Sequence, residues 1–277
     1  MTFRVMSFNI RGASDEHDGV NGWAQRAALN VETIKRYAPD LIGFQELQTG
    51  NLEVYEAELT EYQYILGNEA SSGTEHPSIF WKPTTFDLLE AGSFWISETP
   101  DVYSESWDTD CVRAATWARL REKASGKTLL HMNTHLDHIS NWARTEGCRL
   151  LLRQIKTLRA DSPAILTGDF NCNACELPLA GEADLADANY RYLLEQGFVD
   201  TYLAAGNRDS VTTNTFHGFA GDAFVPIPAG SVVRIDWILT LDGAERLRTL
   251  SSRIIRDHAA PLYPSDHYPI VADLEFA

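Results

Sequence analysis

Three features of the 277-residue sequence predict an α/β or α+β fold. Strand-like runs and helical repeats alternate to the end of the chain, without a repeat at solenoid period, a low-complexity stretch or a linker. Apolar residues make up 44% of the chain and are mixed with charge throughout, and a chain this long buries a sizeable core without staples. Polar residues end several of the apolar runs, which is where sites gather in α/β sheets. The length suits one large domain or two small ones, and residues 1–277 are read as one domain.

Each element follows from its pattern. Phe3 to Ile10 read as a strand. Trp23 to Tyr37 place Ala27, Val31 and Ile34 on one helical face, and Pro39-Asp40 end that helix. Leu41 to Gln45 form a buried strand closing on Glu46, and Asn51 to Leu59 suit a short acidic helix. Strand-like runs follow at Tyr62 to Leu66, Ser78 to Trp81, Phe86 to Phe94, Val112 to Leu120 and Thr128 to Thr134. Residues 142 to 158 carry the clearest helical spacing, in Cys148, Leu151, Leu152, Ile155 and Leu158. Pro163 to Thr167 is a buried strand that runs into Gly168-Asp169-Phe170-Asn171. Leu185 to Glu195 read as a helix ended by Gly197, and Val232 to Leu239 and Ile270 to Phe276 are the last strands.

Composition narrows the function classes. No run of about 18 apolar residues exists to span a membrane, and no signal peptide is visible in the opening MTFRVMSFNI, which reads as a strand. A cytoplasmic location is expected. Of Cys111, Cys148, Cys172 and Cys175, only the last two have motif spacing, and no second Cys/His pair supports zinc or redox chemistry. Free thiols in a reducing compartment are expected. The net charge of −16 repels polyanions. A nucleic-acid binder shows a basic track, and the nearest feature is Arg149, Arg153 and Lys156 on one helix, which also reads as a solvated face. No obligate protein partner is evident.

The informative residues interrupt apolar strands. They are Asn9, Glu46, His135, Asp169, Asn171, Asp236, and the pair Asp266-His267 before the last strand. A charge beside an apolar run is costly unless it is paired, hydrogen-bonded or bound to metal. Any one of them could be a cap or a buried ion pair; together, at six strand ends, they argue for one site. Glu46, Asp266 and Asn9 offer oxygen ligands to a hard cation, Mg²⁺ or Mn²⁺. Asp169 suits activation of water. His135 and His267 suit donation to a phosphate or a leaving group, and Asp236 suits fixing a histidine tautomer. His131, Asn133 and His135 share a strand face, but His131 and His135 lie about 13 Å apart on a strand, too far to ligate one zinc ion.

In this order, SFNIR, FQE, NTHLDH, GDFN, RIDWI and SDHYP make the chain resemble the endonuclease/exonuclease/phosphatase superfamily over nearly its whole length. That resemblance implies a four-layer sandwich, with two mixed β-sheets face to face and helices outside, as in deoxyribonuclease I. It implies that Glu46 is the main metal ligand, with Asn9 and Asp266 close by. It also implies that Asp169 aligns water, Asn171 contacts phosphate, His267 held by Asp236 binds phosphate in line with the metal, and His135 lies against the phosphate. The stretches Asp18 to Trp23, Ser106-Trp107-Asp108, Arg113 to Trp117 and Thr215 to Gly218 are similar to an uncharacterised bacterial branch. From these, Arg113, Trp107 and His217 are taken as substrate-binding candidates, with an ion pair as the alternative for Arg113. Arg11 departs from the acidic residue that abasic-site nucleases carry at its position.

Two long segments, Ser97 to Asp110 and His217 to Gly230, read either as aromatic rims over a site or as anchored loops. The leading expectation is a divalent-metal-dependent phosphodiesterase acting on a small or peripheral phosphodiester. A DNA- or RNA-cleaving nuclease is the alternative, and a catalytically silent binding module the third reading.

Overall fold

The computed structural model describes residues 2–14, 18–71, 74–174, 187–210, 212–225 and 234–277. In chain order the strands are β1 (Thr2–Asn9), β2 (Leu41–Leu47), β3 (Gln63–Ile65), β4 (His76–Trp81), β5 (Phe86–Trp95), β6 (Ala114–Glu122), β7 (Thr128–His135), β8 (Ala164–Asp169), β9 (Val199–Asp200), β10 (Asp236–Leu241), β11 (Leu247–Ile254) and β12 (Ile270–Phe276). The helices are α1 (Trp23–Tyr37), α2 (Thr49–Glu58), α3 (Asn141–Leu158), α4 (Ala188–Glu195) and α5 (Thr201–Ala204). The strands make two six-stranded sheets, ordered β11-β12-β1-β2-β4-β3 and β5-β6-β7-β8-β10-β9. Both are mixed, because β1–β2 and β7–β8 pair in parallel while the other pairs are antiparallel.

Strand periodicity explains the layers. Successive side chains leave a strand on opposite faces. Val5, Leu41, Leu129, Ile165 and Ile238 enter one apolar core between the sheets. Their neighbours Met6 and Ile42 join α1 and α2 outside the first sheet, and Leu130, Leu166 and Trp237 join α3 and α4 outside the second. Three cores separate four layers, as the resemblance implied. Helix α3 starts where Ser140 Oγ accepts from the Ala143 N–H at 3.1 Å, a side-chain cap.

The inward-facing rows change character along the strands. On β1 the row is Phe3, Val5, Ser7, Asn9; on β7 it is Leu129, His131, Asn133, His135; on β8 it is Ile165, Thr167, Asp169. Midway, the polar members bond across the sheets. Asn133 Nδ2 donates to Phe44 O at 2.7 Å and Ser78 O at 3.0 Å, and Gln45 Nε2 donates to Asn133 Oδ1 at 2.7 Å. Thr167 Oγ1 joins Asn133 Oδ1 and His131 Nε2. Gly43 leaves room for this network, since a Cβ there would lie 2.2 Å from Thr167 Oγ1. His131 is thus a sheet-interface residue with no access to solvent.

Some boundaries differ from expectation. The last β10 residues extend to Leu241, and Val232 with its neighbour at 233 lies outside the described residues, as do Leu185 and Cys175. Strand β11 was not expected; it edges the first sheet and carries a register shift between Thr249 and Ser251, so its apolar pattern is broken. Among the described residues no helix is long and apolar enough to cross a membrane.

Candidate active site

Register brings the polar strand ends together. On parallel β7 and β8 His135 stands opposite Asp169, and on antiparallel β10 Asp236 stands opposite Asp169. Three adjacent strands of the second sheet thereby present one row. In the first sheet, Asn9 pairs with Gln45, the residue before Glu46. A register shift between Phe44 and Leu47 and a left-handed Glu46 (φ 59°) mark the point where that carboxylate enters the site. Asp266 and His267 arrive on the loop before β12, fastened where Ser265 Oγ donates to Asn9 O at 2.7 Å.

These residues surround an open cavity of about 380 Å³ lined by Glu46, His135, Asp169, Asn171, Asp266 and His267, with Arg11, Arg113 and His138 on its wall. Four lining residues, Arg11, Glu46, Ser71 and Asn171, are in the left-handed region. Non-glycine residues there carry a backbone cost of about 1–3 kcal/mol each. Such cost persists only where surrounding bonds over-determine the conformation, as they do here.

Asn9 is the hinge of the arrangement. Its Nδ2 donates to Glu46 Oε1 at 2.9 Å and to Asp169 Oδ2 at 3.0 Å, joining carboxylates of opposite sheets. Its Oδ1 accepts the Arg11 N–H, so in this geometry Asn9 orients the two carboxylates with its donor end. Asp169 Oδ1 accepts the Asn171 N–H at 2.9 Å. Asn171 Nδ2 donates to Leu136 O and to His135 Nε2, which leaves Nδ1–H as the donor of a neutral His135. Burial and the nearby Arg113 and His267 charges hold His135 well below the usual histidine range. His267 Nδ1 meets Asp236 Oδ2 at 2.9 Å, and its Nε2 lies 3.7 Å from Asp169 Oδ2. Burial disfavours a charged His267, yet Asp236 and Asp169 overcome it and hold the ring well above its usual value. Asp169 is pushed up to about 7 by burial and by Asp236.

The donor set suits a hard cation. Asp266 is raised by burial and by the like charge of Glu46, a repulsion that a bound divalent ion would remove. Asp169, Asp236 and His267 also offer ligand atoms within 4.8 Å of one another. His267 Nδ1 and Asp236 Oδ2 are already engaged with each other, and an imidazole suits a hard cation less than the carboxylate pair Glu46 and Asp266 does.

The other sequence candidates separate. Arg113 is buried, lines the cavity, and makes no ion pair among the described residues; its Nη2 lies 3.3 Å from His138 Nδ1. His138 also lines the cavity. Trp107 does not: it packs against the outer core of the second sheet. His217 is also away from it, fully buried and stacked on Tyr268 at 3.9 Å. The loop from Ser97 to Asp110 is knitted by Ser97, Ser104, Thr99 and Ser106, which matches an anchored loop. Phe219 lies beside Arg26 and Phe224 against Phe216, while residues 226–230 of the second segment lie outside the described residues. Sequence reasoning missed Ser71, Glu75, Cys111, Phe216 and Ile235 on the wall. Glu75, pushed up to about 7 by burial and Glu46, stands just before β4 and carries the same signal as the others, a charge at a strand end.

Comparison with known proteins agrees with this architecture. A family model described as Endonuclease/Exonuclease/phosphatase family matches residues 6–267. A family protein of known structure from Bacteroides vulgatus superposes with a TM-score of 0.85 at 30% identity, covering 100% of both chains. A mannosyl-6-phosphatase of Bacteroides thetaiotaomicron superposes with a TM-score of 0.83 at 30% identity, covering 99% of this chain and 100% of that one. An uncharacterised protein of Acanthamoeba polyphaga mimivirus is 29% identical over 183 residues, and the match spans 61% of this chain and 66% of that protein.

Proposed function

The chain belongs to the endonuclease/exonuclease/phosphatase family, and from that premise we propose that it is a divalent-metal-dependent hydrolase of small phosphoesters. Glu46 and Asp266 would hold Mg²⁺ or Mn²⁺, with Asn9 setting the first of them. Bound there, the ion supplies Lewis-acid withdrawal from a phosphoryl oxygen. Asp169, fixed at one oxygen by the Asn171 N–H and at the other by Asn9, orients a water and accepts its proton as it attacks phosphorus in line, while the opposite P–O bond breaks and the departing alkoxide takes a proton from solvent in the open cavity. His267, protonated against Asp236, sets an N–H and a positive charge against the non-bridging oxygens. Asn171 holds His135 and the Asp169 carboxylate in place on the cavity wall, and Arg113 supplies a buried guanidinium for the phosphate. The observation that carries this reading is Asn9 bonded at once to Glu46 of one sheet and Asp169 of the other. It also supports reading residues 1–277 as one catalytic unit, since neither sheet holds the site alone. The unpaired Cys111, Cys148 and Cys172 suit a reducing cytoplasm.

For the substrate, a charge of −16 and a cavity of about 380 Å³ favour a small or peripheral ester over duplex nucleic acid. A diester is the first form. A sugar phosphomonoester is the second, favoured by the 30% identical mannosyl-6-phosphatase. Competitive kinetics on diester and monoester chromogens, sugar phosphates, RNA and DNA, at low and physiological salt, test both. Preference for a small ester with a shallow salt response supports the reading. Best cleavage of DNA or RNA, falling steeply with salt, overturns it in favour of a nuclease.

A further inference from the structure

Arg26 is fully buried on α1 and has no carboxylate among its hydrogen-bond partners. A guanidinium has five N–H donors, and main-chain carbonyls take all five. Nε donates to Asn21 O at 2.8 Å. Nη1 donates to Ile10 O at 2.7 Å and Pro264 O at 3.0 Å. Nη2 donates to Arg11 O and to Gly12 O, the latter at 2.9 Å. The faces of the group lie against Trp23, 4.9 Å from the ring centre, and Phe219 at 5.8 Å.

The carbonyls come from segments that meet only in the folded chain. Residues 10–12 follow Asn9, and Pro264 lies two residues before Asp266. Arg11 is left-handed at φ 52°, which accompanies a carbonyl turned toward Arg26 and a side chain lining the cavity. A second donor on α1 reinforces the clamp, as Asn30 Nδ2 donates to Pro264 O at 3.0 Å. Without the fork the Ile10, Arg11, Gly12 and Asn21 carbonyls would each lose a buried donor, at a cost of about 1–3 kcal/mol apiece, so the fork decides how these loops meet. Lysine offers three donors from one nitrogen and cannot span them.

We propose that Arg26 is a positioning residue that sets Asp266 and the Asn9–Arg11 segment against Glu46, and so sets the affinity of the cation site. This rests on the metal reading above. It does not make Arg26 a catalytic residue, since no lining position belongs to it.

The test is Arg26→Lys, which keeps the charge and loses the fork, with the milder Asn30→Ser beside it. Mn²⁺ binding is measured by calorimetry without substrate, and kcat and KM at saturating Mn²⁺. Displacement of reacting groups by about 1 Å costs up to about a hundredfold in rate. The expected result for folded Arg26→Lys is Mn²⁺ affinity at least about fivefold weaker and kcat about tenfold lower, with KM within about twofold. Asn30→Ser should weaken Mn²⁺ about twofold in the same direction. A folded Arg26→Lys with wild-type Mn²⁺ affinity and kcat, and only a lower Tm, overturns the proposal. If Arg26→Lys does not fold, unchanged Mn²⁺ affinity in Asn30→Ser overturns it. If the wild-type protein binds no Mn²⁺, the metal reading fails by itself, the affinity claim falls with it, and wild-type kcat in Arg26→Lys then overturns the positioning role too.

Discussion

Asp236→Asn isolates the charge behind His267 with little change in shape. The two groups meet at 2.9 Å in a buried setting. At an effective dielectric of about 20, unit charges about 3 Å apart attract by about 5.5 kcal/mol, enough to govern the protonation of the ring. Burial alone drives His267 down. Without the Asp236 charge the ring therefore falls from its raised value, held up only by Asp169 and Asp266. The carboxamide can also donate to Nδ1 and reverse the tautomer, the effect that costs a serine protease about 10⁴-fold when its aspartate becomes asparagine. The expected loss in kcat/KM at pH 7.5 is about a thousandfold or more. The sign of the pH effect is fixed. On the proposed roles, wild-type activity should rise as Asp169 ionises near 7 and fall as the raised His267 loses its proton. Asp236 raises both groups, so its neutralisation moves both limbs of the profile to lower pH. The assay is kcat/KM from pH 5 to 9 at saturating metal, with a thermal melt to confirm folding. An Asp236→Asn protein within about tenfold of wild type and with an unshifted profile would refute the role given to the pair.

Removal of divalent metal by chelation should abolish turnover, and Mg²⁺ or Mn²⁺ should restore it; full activity after chelation, or rescue by zinc alone, counts against Glu46 and Asp266 as a hard-cation site. Gly43→Ala should lower stability by between about 1 and 3 kcal/mol through overpacking, because the new Cβ would lie 2.2 Å from Thr167 Oγ1 and 2.4 Å from Asn133 Oδ1. An unchanged urea midpoint would show that the sheets separate at no cost. His131 is buried with its pKa pushed down to about 3. The unfolded ring takes a proton below about 6.5, so its contribution is complete above that pH and is lost at about 1.4 kcal/mol per unit as pH falls toward 3. His131→Gln should flatten urea stability between pH 6.5 and 5, and an identical slope would exclude the assignment.

How much of this was legible depends on whether a residue acts through its own strand or through a partner's loop. The inward rows of β1, β7 and β8 grade from apolar through hydrogen-bonding to ionisable, and that gradient is printed in the alternate letters of the sequence. Asn9, His135 and Asp169 are readable for that reason: a two-residue period fixes the face and the strand end fixes the depth. Glu46 is readable as a strand end, but not its left-handed backbone, which depends on the register shift against β4. Pairing of His267 with Asp236 joins a loop to a strand 31 residues away, and no spacing specifies it. Only the ordered motif set suggested that contact. Trp107 and His217 show the reverse case. Their chemistry suits a substrate, yet core packing against the second sheet and stacking on Tyr268 keep them from the cavity. Arg26 carried no signal at all in the sequence, because an arginine within a helix ordinarily faces water. Its partners are carbonyls, which every residue possesses, so the sequence gives their positions no distinguishing letter. A site assembled from strand ends is therefore visible in side-chain chemistry, whereas the clamp that aligns its loops is written in backbone geometry and emerges only with the fold.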